Sequence, residues 1–117
     1  IAHTSLTELI VVSSMHERKK KMAELADGFI ALPGGPGTIE EFMEMFTWSQ
    51  LGFHQKPIGL LNVDHYYDHF IDFIHYMNER KFLHDQYRNM ALTSDNPVKL
   101  LEKFKTYSAP GTKTYNL

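Results

Sequence analysis

The sequence predicts an α/β domain, a parallel sheet with helices on both faces, and three observations carry that prediction. Short apolar runs recur over residues 6–12, 28–32, 58–63 and 90–93, several of them apolar throughout, as strands covered on both faces require. Helical patterns fall between these runs, and strand alternating with helix is the order that builds a right-handed parallel sheet. Finally, a glycine-rich segment, Pro33-Gly34-Gly35-Pro36-Gly37, stands between an apolar run and an amphipathic stretch. The 117 residues suit one compact domain with a modest core, spanning 1–117 and ending in a loose tail over 108–117.

The first run, ending Ile10-Val11-Val12, is short and β-branched, and Ser13-Ser14 closes it. Being apolar on both faces, it belongs well inside a sheet, and the chain supplies few strands to flank it. From residue 15 to 26 a helical stripe is formed by Met15, Arg18, Met22 and Leu25. Lys20 and Lys21 fall on the opposite, solvated side with Glu17 and Glu24 nearby. Arg18 is different. A guanidinium on a core-facing stripe costs several kcal/mol unless an anion answers it. The structural alternative is an arginine whose stem packs while its head reaches the rim.

The run over residues 28–32 leads into the glycine segment, and Thr38-Ile39-Glu40-Glu41 leads out of it. Strand, glycine loop and helix in this order make an anion site. The glycines are expected to turn the backbone tightly with positive φ and to bring bare N–H groups close to a ligand. The following helix, expected over residues 38–51, aims its free N–H groups at the same point. Neither Gly-x-Gly-x-x-Gly nor a Walker loop is present. In the helix, Ile39, Phe42, Met43 and Phe46 form one stripe, and Met45 and Trp48 widen it. Such a helix is either a central core element or one that also meets a second subunit through its Met45/Trp48 side. Thr38 to Glu41 also spells a capping box, with Glu41 reaching back to the Thr38 amide for about 1 kcal/mol. Both readings set a carboxylate one turn into the helix, and only the functional one needs it to face a substrate.

After Lys56-Pro57 comes the third strand, over residues 58–63, broken by Asp64-His65-Tyr66-Tyr67-Asp68. A long helix follows with Phe70, Ile71, Ile74 and Met77 as its core stripe. Met90-Ala91-Leu92-Thr93 is a short fourth strand, and Asp95 or Asn96 caps a terminal helix beginning at Pro97. His65, Asp68, His69 and Asp72 include ligand types at helical spacing. They drift around an exposed face without a His-Glu-x-x-His pattern, so no metal is expected.

Composition narrows the function classes. Hydrophobic residues at 43% and charged residues at 22% are ordinary for a soluble globular domain, and no apolar run approaches a membrane span. A net charge of −2 argues against a broad nucleic-acid surface. The absence of cysteine excludes disulfides, thiol nucleophiles and zinc–thiolate sites, and fits a reducing cytoplasm, the compartment expected.

Two motifs, Met15-His16-Glu17-Arg18-Lys19 and Pro33-Gly34-Gly35-Pro36-Gly37-Thr38-Ile39-Glu40-Glu41, closely resemble the signatures of the Lonely Guy family. These are the cytokinin-activating phosphoribohydrolases once labelled possible lysine decarboxylases. Similarity extends through Thr47-Trp48-Ser49-Gln50-Leu51-Gly52 and residues 56–63, and so covers most of the chain. The resemblance implies a Rossmann-like parallel sheet. Family members carry a further strand-and-helix portion before the position where this sequence begins, so the chain is expected to be the carboxyl-side portion of a longer domain.

It also implies hydrolysis of the N-glycosidic bond of an N6-substituted adenosine 5′-monophosphate, releasing free base and ribose 5-phosphate, without a cofactor and in a homodimer. Gly35, Gly37 and Thr38 would hold the 5′-phosphate, and Gly34 and Glu40 are grouped with them as substrate-binding. Glu41 would face the ribose, where a carboxylate can stabilise oxocarbenium character or activate water. Arg18 is the second catalytic residue by family correspondence, neutralising either the phosphate or the departing purine. Lys19 and Thr47 match further ligand-contacting positions. Two other readings stand beside this one: a nucleotide-binding carrier or sensor without turnover, and lysine decarboxylation. The last is weakest, because pyridoxal chemistry needs a Schiff-base lysine and a cofactor cradle that no pattern here supplies.

Overall fold

The structure, a computed structural model, describes residues 9–11 and 23–111. Strands β1 (Leu9–Val11), β2 (Gly28–Ala31), β3 (Ile58–Leu61) and β4 (Ala91–Ser94) form one sheet in the order β1-β2-β3-β4, with each neighbouring pair parallel. The register sets Phe29 beside Ile58 and Ala31 beside Leu60. Alternation along the strands then sends these four side chains to one face. There they are buried with Phe42, Met45 and Phe46 of helix α1 (Pro36–Gln50) and Ile74 of helix α2 (Asp68–Glu79). Ile30, Leu61 and Leu92 face the other way, onto Leu100 and Phe104 of helix α3 (Pro97–Lys105). The arrangement is Rossmann-like, with helices on both faces as the strand–helix alternation requires.

Two strand glycines have a packing reason. A Cβ on Gly59 would stand 2.7 Å from Phe104 Cε1, and one on Gly28 would stand 3.0 Å from Phe104 Cε2. Their absence lets the Phe104 ring lie directly on the sheet. Between the two residues that could cap α3, the structure selects Asn96, whose Oδ1 accepts from the Lys99 N–H at 3.0 Å. The fourth strand is displaced by one residue from the expected 90–93, and the third ends at Leu61 because residues 63–65 form a 3₁₀ turn.

Three expectations are corrected. Helix α1 begins at Pro36 rather than Thr38, with Gly35 as its N-cap in extended conformation (φ −101°, ψ −157°) and no side-chain cap. Proline at the first helical position is pre-set for the helix and sacrifices no needed N–H. The first helical bond accordingly runs from the Ile39 N–H to Gly35 O at 3.2 Å. Thr38 therefore sits inside the first turn, and the capping-box reading of Glu41 falls. The glycines of the loop also do not use positive φ, which among the described glycines occurs only at Gly52 and Gly111. Lastly, Met45 is fully buried within the chain's own core, so it is not part of an outward face. Exposed apolar side chains include Leu51 and Phe53 just beyond this helix, and also Leu25, which the sequence pattern set on a core-facing stripe.

Candidate functional site

In a parallel sheet, ligands gather at the carboxyl ends of the strands. Two segments meet there, the Leu32–Gly35 loop after β2 and the turn after β3. Across strands, the Tyr67 hydroxyl donates to Leu32 O at 2.5 Å, and the Tyr66 hydroxyl donates to Gly34 O. The turn that presents these tyrosines is itself tied down. Asn62 Oδ1 accepts from the Tyr67 N–H at 2.6 Å, and Asn62 Nδ2 donates to Asp68 Oδ1 at 2.8 Å. Asp64 and His65 take left-handed backbone conformations at φ 52° and 60°, a local cost of about 1–2 kcal/mol each that this network sustains. Burial pushes the Tyr67 phenol above its ordinary value, so it stays a donor throughout the physiological range.

The glycines of the loop divide by purpose. A Cβ on Gly34 would collide with the Thr38 side chain, standing 2.9 Å from its Cβ. Gly34 is thus required by the fold. A Cβ on Gly35 or Gly37 would meet no protein atom within 4 Å, and neither residue needs positive φ. Packing gives no reason for glycine at these two positions, whereas close approach of a ligand to the backbone does. Around them the first N–H groups of α1 lack intrahelical acceptors and carry the positive end of the helix dipole.

Glu41 follows Gly37 by four residues and so lies one turn behind it on the same side of α1. At 4% exposure it is the one charged side chain buried among the described residues. Glu40 beside it is exposed on the first turns of the helix, and Thr38 is half-buried. The structure therefore brings together Gly34, Gly35, Gly37, Thr38, Glu40 and Glu41. Thr47 stands apart, roughly 16 Å further along the helix from Pro36, with its hydroxyl donated to Glu44 O at 3.0 Å. Arg18 and Lys19, with the Met-His-x-Arg-Lys motif, lie outside the described residues. Sequence reasoning missed Asn62, Tyr66 and Tyr67. Their one signal was two adjacent aromatic residues in the segment that ends the strand next to the glycine-loop strand.

At the other end of the strands, Ala23, Glu24, Trp48, Phe53, His54 and Lys56 line a cavity of about 590 Å³. His54 Nε2 donates to Met45 O at 2.9 Å and Nδ1 accepts from the Lys56 N–H at 3.0 Å, an arrangement that fixes a neutral ring. Burial lowers the His54 pKa, and it also lowers that of Lys56, whose Nζ donates to Ala23 O and Glu24 O.

The family model described as "Possible lysine decarboxylase" matches residues 1–104. The chain belongs to that family. Among its curated relatives, the cytokinin riboside 5′-monophosphate phosphoribohydrolase LOG2 of Arabidopsis thaliana is 47% identical over 107 residues, covering 92% of this chain and 50% of that protein. The enzyme of the same description named LOG in Oryza sativa subsp. japonica is 48% identical over 100 residues, covering 86% of this chain and 41% of that protein. This member of the possible lysine decarboxylase family thus spans about half the length of the curated relatives it matches. Among its described residues, no helix is long and apolar enough to cross a membrane.

Proposed function

We propose that the protein hydrolyses the N-glycosidic bond of an N6-substituted adenosine 5′-monophosphate, yielding the free base and ribose 5-phosphate. The observation that carries this reading is a buried carboxylate, Glu41, one helical turn behind a glycine loop whose Gly35 and Gly37 leave the backbone open to a ligand. The names of the curated relatives support the substrate class.

In this mechanism the 5′-phosphate is bound by the N–H groups at the start of α1 and by the Thr38 hydroxyl, which anchors the ribose by its least reactive end. The bond from C1′ to the base nitrogen breaks with its electron pair leaving on the base, positive charge develops on the sugar, and the base nitrogen takes up one proton from solvent, balancing the one that the attacking water loses. The Glu41 carboxylate stabilises that charge and accepts a proton from the attacking water. Arg18 neutralises either the phosphate or the departing purine. Gly34 and Glu40 complete the substrate-binding set, with Lys19 and Thr47 as further contacts. Lysine decarboxylation is disfavoured at Lys56, which precedes β3 at the end of the strands away from the loop and whose ammonium is engaged by two backbone carbonyls.

The same proposal includes a cytoplasmic homodimer that covers the apolar surface at Leu25, Leu51 and Phe53. The full-length protein is to be incubated with adenosine 5′-monophosphate and its N6-isopentenyl analogue, and the products separated chromatographically. Equal amounts of free base and ribose 5-phosphate are expected. Tight binding of either nucleotide without release of base would instead assign a carrier or sensor.

A further inference from the structure

The loop between β2 and α1 carries two adjacent glycines, Gly34 and Gly35. The peptide that joins Gly34 to Gly35 has a glycine on each side, so its plane carries no Cβ at either end to fix its orientation. Yet both peptide planes around Gly35 are anchored. On the far side, Gly35 O accepts from the Ile39 N–H at 3.2 Å. On the near side, Gly34 O accepts from the Tyr66 hydroxyl. In a planar trans peptide the C=O and the following N–H point in opposite directions, so holding Gly34 O toward Tyr66 turns the Gly35 N–H away from it.

We propose that Tyr66 is a positioning residue for phosphate recognition: its bond to Gly34 O presets the 34–35 peptide so that the Gly35 N–H is aimed at the substrate's 5′-phosphate before the substrate arrives. This rests on the reading that the glycine loop receives that phosphate. The division of labour with Tyr67 follows from burial. Tyr67 is 2% exposed, its ring stacks edge-on against Tyr66 at 4.9 Å and it anchors the start of the loop at Leu32. Tyr66 is 52% exposed, so losing its hydroxyl removes little from the core while releasing the peptide that carries the Gly35 N–H. Without that bond the phosphate must order the peptide itself, and the loss appears in binding rather than in folding.

The test compares full-length wild type with Tyr66→Phe and Tyr67→Phe. Binding of inorganic phosphate is measured by calorimetry, kcat and KM are measured for adenosine 5′-monophosphate, and Tm by thermal unfolding. Tyr66→Phe is expected to weaken phosphate binding and raise KM about tenfold, the net worth of one hydrogen bond, with kcat and Tm nearly unchanged. Tyr67→Phe is expected to lower Tm as well. Unchanged phosphate affinity and KM in Tyr66→Phe overturn the assignment, as does a change that appears only with a fall in Tm of several degrees. Tyr66-dependent phosphate binding by a wild type that releases no base refutes the hydrolase and leaves the positioning role standing. Hydrolysis by wild type that is indifferent to Tyr66 does the reverse, and a wild type that neither binds phosphate nor releases base refutes both.

Discussion

Gly34 lies directly against Thr38, so close that a Cβ on the glycine would stand 2.9 Å from the Thr38 Cβ. The neighbouring Gly35 has no protein atom within 4 Å of the same point. Two adjacent glycines are therefore expected to respond oppositely to the same substitution. Gly34→Ala should cost about 1–3 kcal/mol, because Thr38 is held by the helix and cannot withdraw. Gly35→Ala should leave stability unchanged or raise it by up to about 1 kcal/mol, since its φ of −101° suits any residue. Its methyl group would nevertheless occupy the space a phosphate needs, raising KM at least tenfold or so. Urea denaturation alongside KM for adenosine 5′-monophosphate separates the two. A Gly35→Ala protein with wild-type KM would remove the loop from the substrate site.

Glu41 cannot be a helix cap, because α1 starts at Pro36 and places it in the second turn. Glu41→Gln therefore tests the carboxylate's charge and basicity with no helix cap at stake. Loss of a base or charge stabiliser is worth roughly 10²–10⁴-fold in kcat. Substrate affinity should change far less, because the phosphate contacts are elsewhere. Release of base under saturating nucleotide is the measurement, with Lys20→Ala, outside the proposed site residues, as a control. Turnover within about threefold of wild type in Glu41→Gln would show that another group carries the reaction.

His54 makes the fold acid-sensitive. Burial holds its pKa below the ordinary value of 6.5, and both ring nitrogens are committed in the neutral form. Below pH 6.5 the unfolded chain therefore binds a proton that the folded chain refuses. The stability contributed by the neutral ring is fully present above that pH. It is lost as pH falls toward the folded-state pKa, below which the loss levels off. The urea midpoint should drop between pH 7.5 and 5.5, and His54→Gln, though less stable at pH 7.5, should show a shallower slope. An identical slope in both proteins would remove His54 as the source of the acid sensitivity.

The exposed apolar residues Leu51 and Phe53 follow directly from the carboxyl end of α1, at 67% and 71% exposure. In the proposed homodimer this surface is covered. Sedimentation of the full-length protein at micromolar concentration should give a dimer, and Leu51→Glu with Phe53→Glu should shift it to monomer. A wild-type monomer at that concentration would refute the assembly.

Much of the architecture was legible in the sequence because it is encoded locally. A run such as Ile58-Gly59-Leu60-Leu61 announces a strand covered on both faces, the stripe at Phe70, Ile71, Ile74 and Met77 announces a helix, and Asp95-Asn96-Pro97 announces a helix start, though only the structure chose Asn96 as its cap. The glycine loop and the carboxylate eight residues after its opening proline were legible for the same reason. The tertiary structure alone decided which glycine the packing requires and which it does not, since that depends on the contact of Gly34 with Thr38. It also turned Met45 inward, since the width of the helix's buried face depends on what packs against it. Above all it brought Tyr66 and Tyr67 to carbonyls 32 and 35 residues earlier. That meeting follows from parallel pairing of β2 with β3, which sets their carboxyl ends side by side, and from a turn with two left-handed residues. No local pattern specifies such a pairing, because its energy resides in the packed core that aligns the strands.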